Sequence, residues 1–117
     1  MPNIIEWVEW KTTDVKKTSA YLENIFGWKF EKWSDKYLTY QPEKGAGIGL
    51  IELDSIQTGY SPIVNITVDS IDEVLKKVEE EKLIIKLPKS EIPNIGWHSL
   101  IQDFDGNIYG LFERISK

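Results

Sequence analysis

The chain has 117 residues and a formal net charge of −5 at neutral pH, a size that closes one or two modest apolar cores and argues against several domains. Its 41% hydrophobic and 28% charged residues belong to a folded globular chain rather than a disordered one. The lysines alternate with acids and form no basic patch, so nucleic acid is excluded as a partner and a cationic or neutral small ligand is favoured. Cysteine is absent, which removes disulfides, thiolate metal sites and cysteine nucleophiles.

The start, Met1-Pro2-Asn3-Ile4-Ile5-Glu6, lacks a basic stretch followed by an apolar one. No segment approaches the roughly 20 apolar residues that span a bilayer. A cytoplasmic chain with no membrane partner is expected.

In chain order, Ile4 to Lys11 is rich in β-branched and aromatic residues and reads as a strand. Asp14 then opens a helix as its N-cap, with Val15, Thr18, Ser19, Leu22 and Ile25 forming one stripe at helical spacing. Three strands follow: Trp28 to Trp33, Tyr37 to Tyr40 and Ile48 to Leu53, separated by Ser34-Asp35-Lys36 and the glycine-rich Lys44 to Gly47. The order then recurs. Ile63 to Val68 reads as a strand, Ser70 caps a helix carrying Ile71, Val74, Leu75 and Val78, and strands are expected at Leu83 to Leu87, Trp97 to Gln102 and Ile108 to Ile115, with an Asp105-Gly106 hairpin turn.

An internal repeat underlies this recurrence. Gly45 to Glu52 and Gly106 to Glu113 share Gly, then Gly-Leu, an apolar residue and Glu, at an offset of 61 (106 − 45), while the N-caps Asp14 and Ser70 lie 56 apart (70 − 14). The chain therefore reads as βαβββ twice, an α+β fold within one domain, with module one at about 1–55 and module two at about 61–117. Side by side, two such modules would form a curved eight-stranded mixed sheet, with the helices on the convex face and an open concave cleft suited to a small molecule.

This arrangement resembles the vicinal-oxygen-chelate superfamily, which includes glyoxalase, bleomycin resistance proteins and dioxygenases. The helix opened by Asp14 and ending Tyr21-Leu22-Glu23-Asn24-Ile25-Phe26-Gly27-Trp28 is similar to that family's aspartate-led helix running into Phe-Gly-Trp. Asp103-Phe104-Asp105-Gly106-Asn107 resembles its Asp-Pro-Asp-Gly-Asn turn, with Phe104 in place of proline. Pro88-Lys89, Ile92-Pro93 and Gly96 look like the subgroup related to lactoylglutathione lyase.

The resemblance implies a divalent metal held by His, Gln or Glu on the first and last strand of each module. Those places fall here on Trp7, Gly49, Ile63 and Gly110, whose side chains cannot coordinate a hard or borderline ion. No metal and no other cofactor is expected.

Strand alternation that turns Trp7 inward also turns Glu9 and Lys11 inward, and leaves Val8 and Trp10 for the helix side. The same parity turns Ile63, Asn65 and Thr67 to the cleft and Val64, Ile66 and Val68 to the core. On the penultimate strand the resemblance implies that His98 and Leu100 face inward, and the repeat pairs His98 with Tyr37 (98 − 61). Trp97 is placed near the cleft with Trp7, and Trp10 and Trp28 in the core. The expected ligand-binding residues are Trp7, Glu9, Tyr37, Thr39, Ile63, Asn65, His98, Leu100 and Phe112. The expected function is small-molecule binding without a metal. Its alternative is a metal-independent lyase or isomerase acting next to a carbonyl, with Glu9 and His98 as catalytic candidates. Large residues such as Trp7 and Phe112 could instead close the cleft. Unpaired sheet edges point to a homodimer.

Overall fold

A computed structural model describes residues 3–115; the outermost residues of the two expected modules, Met1, Pro2, Ser116 and Lys117, lie outside the described residues. The chain falls into two compact units, Met1–Ile56 and Gln57–Lys117, here called module one and module two. Each contains one four-stranded mixed sheet with one helix packed on it. No helix among the described residues is long and apolar enough to cross a membrane.

Module one runs β1 (Trp7–Thr12), α1 (Val15–Phe26), β2 (Glu31–Ser34), β3 (Tyr37–Tyr40) and β4 (Gly47–Glu52). Module two runs β5 (Val64–Thr67), α2 (Ile71–Glu80), β6 (Ile84–Ile92), β7 (Gly96–Gln102) and β8 (Ile108–Arg114). The strand orders are β1-β4-β3-β2 and β5-β8-β7-β6, so in each module the first strand pairs parallel with the last.

The repeat is preserved residue by residue in the register. Glu9 pairs with Gly49, and Asn65 with Gly110. Tyr37 pairs with Ile51, and His98 with Phe112. Leu50 and Leu111, equivalent at offset 61, are both fully buried against their helices.

Each helix begins where an N-cap side chain accepts from a first-turn N–H: Asp14 from Lys17 N at 3.0 Å and Ser70 from Glu73 N at 3.2 Å. A second acceptor arrives from the last strand. Glu52 Oε1 accepts from Val15 N at 2.9 Å, and Glu113 Oε1 from Ile71 N at 2.8 Å. The glutamate that ends each repeat thus satisfies the first backbone donor of its own module's helix, a donor with no partner within the helix.

Some boundaries differ from the sequence reading. Ile4 and Ile5 precede β1 and are exposed. Trp28 and Phe30 precede β2 and join an aromatic cluster instead: Trp28 stacks on Phe26 and Tyr40, with centroids 4.8 and 5.9 Å away, and tilts against Trp10 at 6.3 Å. Aromatic packing overrides strand propensity at these positions. Trp28 is therefore half-buried, not fully buried. β6 extends to Ile92, five residues past the expected end, with register irregularities between Ile85 and Leu87 and between Leu87 and Ser90, the second of which takes in Pro88.

The Asp103–Asn107 turn is built on a buried carboxylate. Asp103 Oδ1 accepts from the N–H groups of Asp105 and Asn107, each at 2.9 Å, and Oδ2 from the Tyr109 hydroxyl at 2.7 Å.

Candidate functional site

Alternation of the strands leaves each sheet one face against its helix and one turned away from it. In module one the helix side carries Val8, Trp10 and Thr12 from β1 and Ile48 and Leu50 from β4; the Thr12 hydroxyl meets that of Thr18 in α1 at 2.6 Å. The opposite face carries Trp7, Glu9, Tyr37 and Thr39.

Trp7 and Tyr37 lie flat on that face because β4 offers glycine beneath them. A Cβ added to Gly47 would meet the Trp7 ring at 2.5 Å, and one added to Gly49 would meet the Tyr37 hydroxyl and, at 2.9 Å, Trp7 Nε1. Trp7 Nε1 donates to Tyr37 Oη at 3.2 Å, tying the two rings together. Trp7 remains 42% exposed, so one side of the indole is open. Glu9 stands beside it, exposed, with its carboxylate 3.7 Å from Lys11 Nζ. That is the arrangement of a solvated ion pair, contributing about 0–1 kcal/mol.

In module two the face away from α2 carries Asn65, His98, Leu100 and Phe112 by register, and Ile63 joins them over Gly110, 3.3 Å from where a Cβ would stand. Asn65 also leans over Gly110, since its side-chain oxygen would collide with a Cβ there. The glycines at the two expected ligand places are thus explained by close approach of a neighbouring side chain. His98 lies directly across from Phe112 and is half-buried. Its Nδ1 is inaccessible to solvent and has no hydrogen-bond partner, the one such side-chain atom among the described residues. Arg114, which the sequence reading passed over, sits two residues beyond Phe112 with its guanidinium 5.4 Å from that ring. The i, i+2 spacing of Phe112 and Arg114 on β8 was the signal available in the sequence.

Trp97 does not belong to this face. It pairs with Glu113, the residue that caps α2, and Lys89 Nζ lies 5.1 Å over its ring while bonding Asp72 of α2 at 3.0 Å. Its odd position relative to His98 sends it to the helix side.

A cavity of about 350 Å³ lies elsewhere in module one, between the first turn of α1 and the β2–β3 hairpin. Lysines 16, 32 and 36 and the acids Asp14, Asp35 and Glu52 contribute to its wall, and none of the expected site residues does. Lys32, hydrogen-bonded to Asp35 in a 2.7 Å ion pair, holds that exposed carboxyl below its ordinary range.

No family model matches the chain, and no curated protein matches it. Solved structures do. A glyoxalase/bleomycin resistance protein/dioxygenase family enzyme from Burkholderia phytofirmans PsJN superposes with a TM-score of 0.81 at 16% identity, covering 94% of this chain and 98% of its own. The genomically encoded fosfomycin resistance protein FosX from Listeria monocytogenes gives 0.82 at 22% identity, covering 98% and 96%. A glyoxalase-related enzyme from Fulvimarina pelagi gives 0.80 at 14% identity, covering 97% and 89%. The chain has the fold of the glyoxalase/bleomycin resistance/dioxygenase proteins, that is, the vicinal-oxygen-chelate fold.

The resemblance implies a metal held at four places. Its four expected places hold an indole, an alkyl side chain and two glycines, and the space over Gly49 is taken by Trp7 and Tyr37. Among the described residues, no group of three His, Cys, Asp or Glu side chains is close enough to hold an ion.

Proposed function

We propose that this is a cytoplasmic small-molecule-binding protein that works without a divalent metal, through the sheet faces turned away from the two helices. Trp7, Glu9, Tyr37 and Thr39 serve in module one; Ile63, Asn65, His98, Leu100 and Phe112 serve in module two. The observation that carries this reading is the buried, unpartnered Nδ1 of His98. Such a group is costly to leave without a hydrogen bond, and a bound ligand is a ready source of one. The open side of the Trp7 indole adds an apolar wall of the kind that small-ligand sites use.

The alternative, a lyase or isomerase with Glu9 and His98 as acid and base, gains no support from the exposed Glu9–Lys11 pair. That carboxylate is held toward a lysine in solvent rather than presented alone to a ligand.

A thermal-shift screen of metabolites tests the proposal. A ligand at 100 times its Kd is expected to raise stability by about 2.7 kcal/mol, and His98→Ala is expected to weaken it. A hit whose affinity is untouched by both His98→Ala and Trp7→Ala would place binding elsewhere and overturn the reading.

We propose further that the protein is a homodimer, because each four-stranded sheet ends in two edge strands, β1 and β2 or β5 and β6, and sheet edges are commonly covered by a partner. Light scattering is expected to give twice the 13.6 kDa of one chain; the monomer mass at micromolar concentration would refute it.

A further inference from the structure

We propose that the face of module two turned away from α2 binds a small organic anion, a carboxylate on a flat apolar body, with Arg114 and His98 as its polar contacts. The inference deepens the small-molecule reading above and rests on it.

The charge of the whole chain, −5, points toward a cationic or neutral ligand, but fields are local: exposed charges are screened beyond about 10 Å at 0.1 M salt. On this face the register positions of β5, β7 and β8 are Asn65 and Thr67; Gly96, His98, Leu100 and Gln102; and Ile108, Gly110, Phe112 and Arg114. None is acidic. The nearby carboxylates are directed elsewhere, Glu113 to the N–H of Ile71 and Asp103 into its own turn. These three strands therefore give the face one cation, one imidazole and amides, and no carboxylate, while β6 adds Ser90 beside His98 and Ile92 beside Gly96.

Arg114 has no carboxylate within ion-pair distance among the described residues and holds its guanidinium over the Phe112 ring instead. A guanidinium stacked in this way keeps its in-plane N–H donors free for a planar, bidentate acceptor. His98 flanks the same ring from the neighbouring strand. The two donors therefore bracket one apolar surface, matching a carboxylate attached to a flat ring. The imidazole can answer a ligand because rotation about its terminal torsion is soft. Turning Nδ1 toward the open face would give the nitrogen the partner it lacks in the protein.

Side-chain NMR of the full chain, titrated with benzoate, benzyl alcohol and benzylammonium, tests this. Benzoate is expected to shift the His98 ring and the Arg114 guanidinium signals and to bind at least about tenfold tighter than the other two probes, the range of one charge-assisted hydrogen bond. Arg114→Gln should remove that preference, while Arg114→Lys should retain part of it; Arg114 is exposed, so the fold should survive, as the backbone spectrum will verify. Equal binding of all three probes at these residues would overturn the anion and leave the small-molecule reading standing. Shifts that avoid His98 and Arg114 would likewise overturn the anion, while the metabolite screen separately decides whether the protein binds small molecules at all.

Discussion

Modules one and two share a backbone register and differ in what they lay upon it. Over the paired glycines Gly49 and Gly110, module one places Trp7 and Tyr37, joined to each other, whereas module two places Ile63 and Asn65 and leaves His98 with an unsatisfied nitrogen. The charged groups diverge as well: Glu9 is paired with Lys11 in module one, and Arg114 rests on an aromatic ring in module two. The helix sides diverge more quietly. The buried Thr12–Thr18 hydroxyl pair is replaced at offset 56 by Val68 and Val74, side chains of nearly the same shape. A duplicated scaffold has thus kept the groups that close each core and cap each helix, and has varied the face on which a ligand can rest. The lesson is that a cross-strand register carries the fold, while one strand position of difference in chemistry suffices to change a site.

The largest expected effect tests the sameness of the two cores. Leu50 and Leu111 are equivalent and have no solvent exposure. Truncating either to alanine is expected to cost about 2–5 kcal/mol, the range for a fully buried leucine that leaves a cavity. Urea unfolding of the two variants measures it. A loss below about 1 kcal/mol in one of them would show that its core collapses around the gap and would break the parity of the modules.

Much of this fold was legible in the sequence because the repeat was written in residues that cannot be exchanged freely. Asp14 and Ser70 marked helix starts through their side-chain acceptors, and Gly-Leu-x-Glu marked the last strand of each module through a close approach, a core leucine and a helix-capping carboxylate. The capping role of Glu52 and Glu113 was not legible. It depends on a contact between residues 37 and 42 apart in sequence. The site was less legible for the same reason. Alternation along β1 put Glu9, and the resemblance put His98, on the faces away from the helices, but the Trp7–Tyr37 pairing and the guanidinium over Phe112 are side-chain arrangements that no period encodes. The misplacement of Trp97 was a parity error, since a residue adjacent to His98 on a strand points the other way.

The smallest expected effect lies where the helices end. Module one stops α1 with Gly27 in the left-handed region at φ 78°, its N–H bonded to Glu23 O at 2.8 Å. Module two reaches the same conformation after α2 with a lysine, Lys82 at φ 61°, its N–H bonded to Glu79 O at 3.0 Å. A side chain in that region costs about 1–2 kcal/mol, partly offset by the greater freedom that glycine has in the unfolded chain, about 0.4–1 kcal/mol. Nothing lies within 4 Å of a Cβ built on Gly27, so replacement there meets no steric obstacle and reads the backbone preference alone. Gly27→Ala is therefore expected to destabilise the protein by about 1 kcal/mol, and Lys82→Gly to stabilise it by up to about 1 kcal/mol. Lys82→Ala separates backbone from charge, because it removes the ammonium and keeps the strained φ. Thermal unfolding should show a gain for Lys82→Gly and none for Lys82→Ala. If Lys82→Gly gains no more than Lys82→Ala, the left-handed φ does not govern this end of the helix, and the difference between the two termini is not conformational.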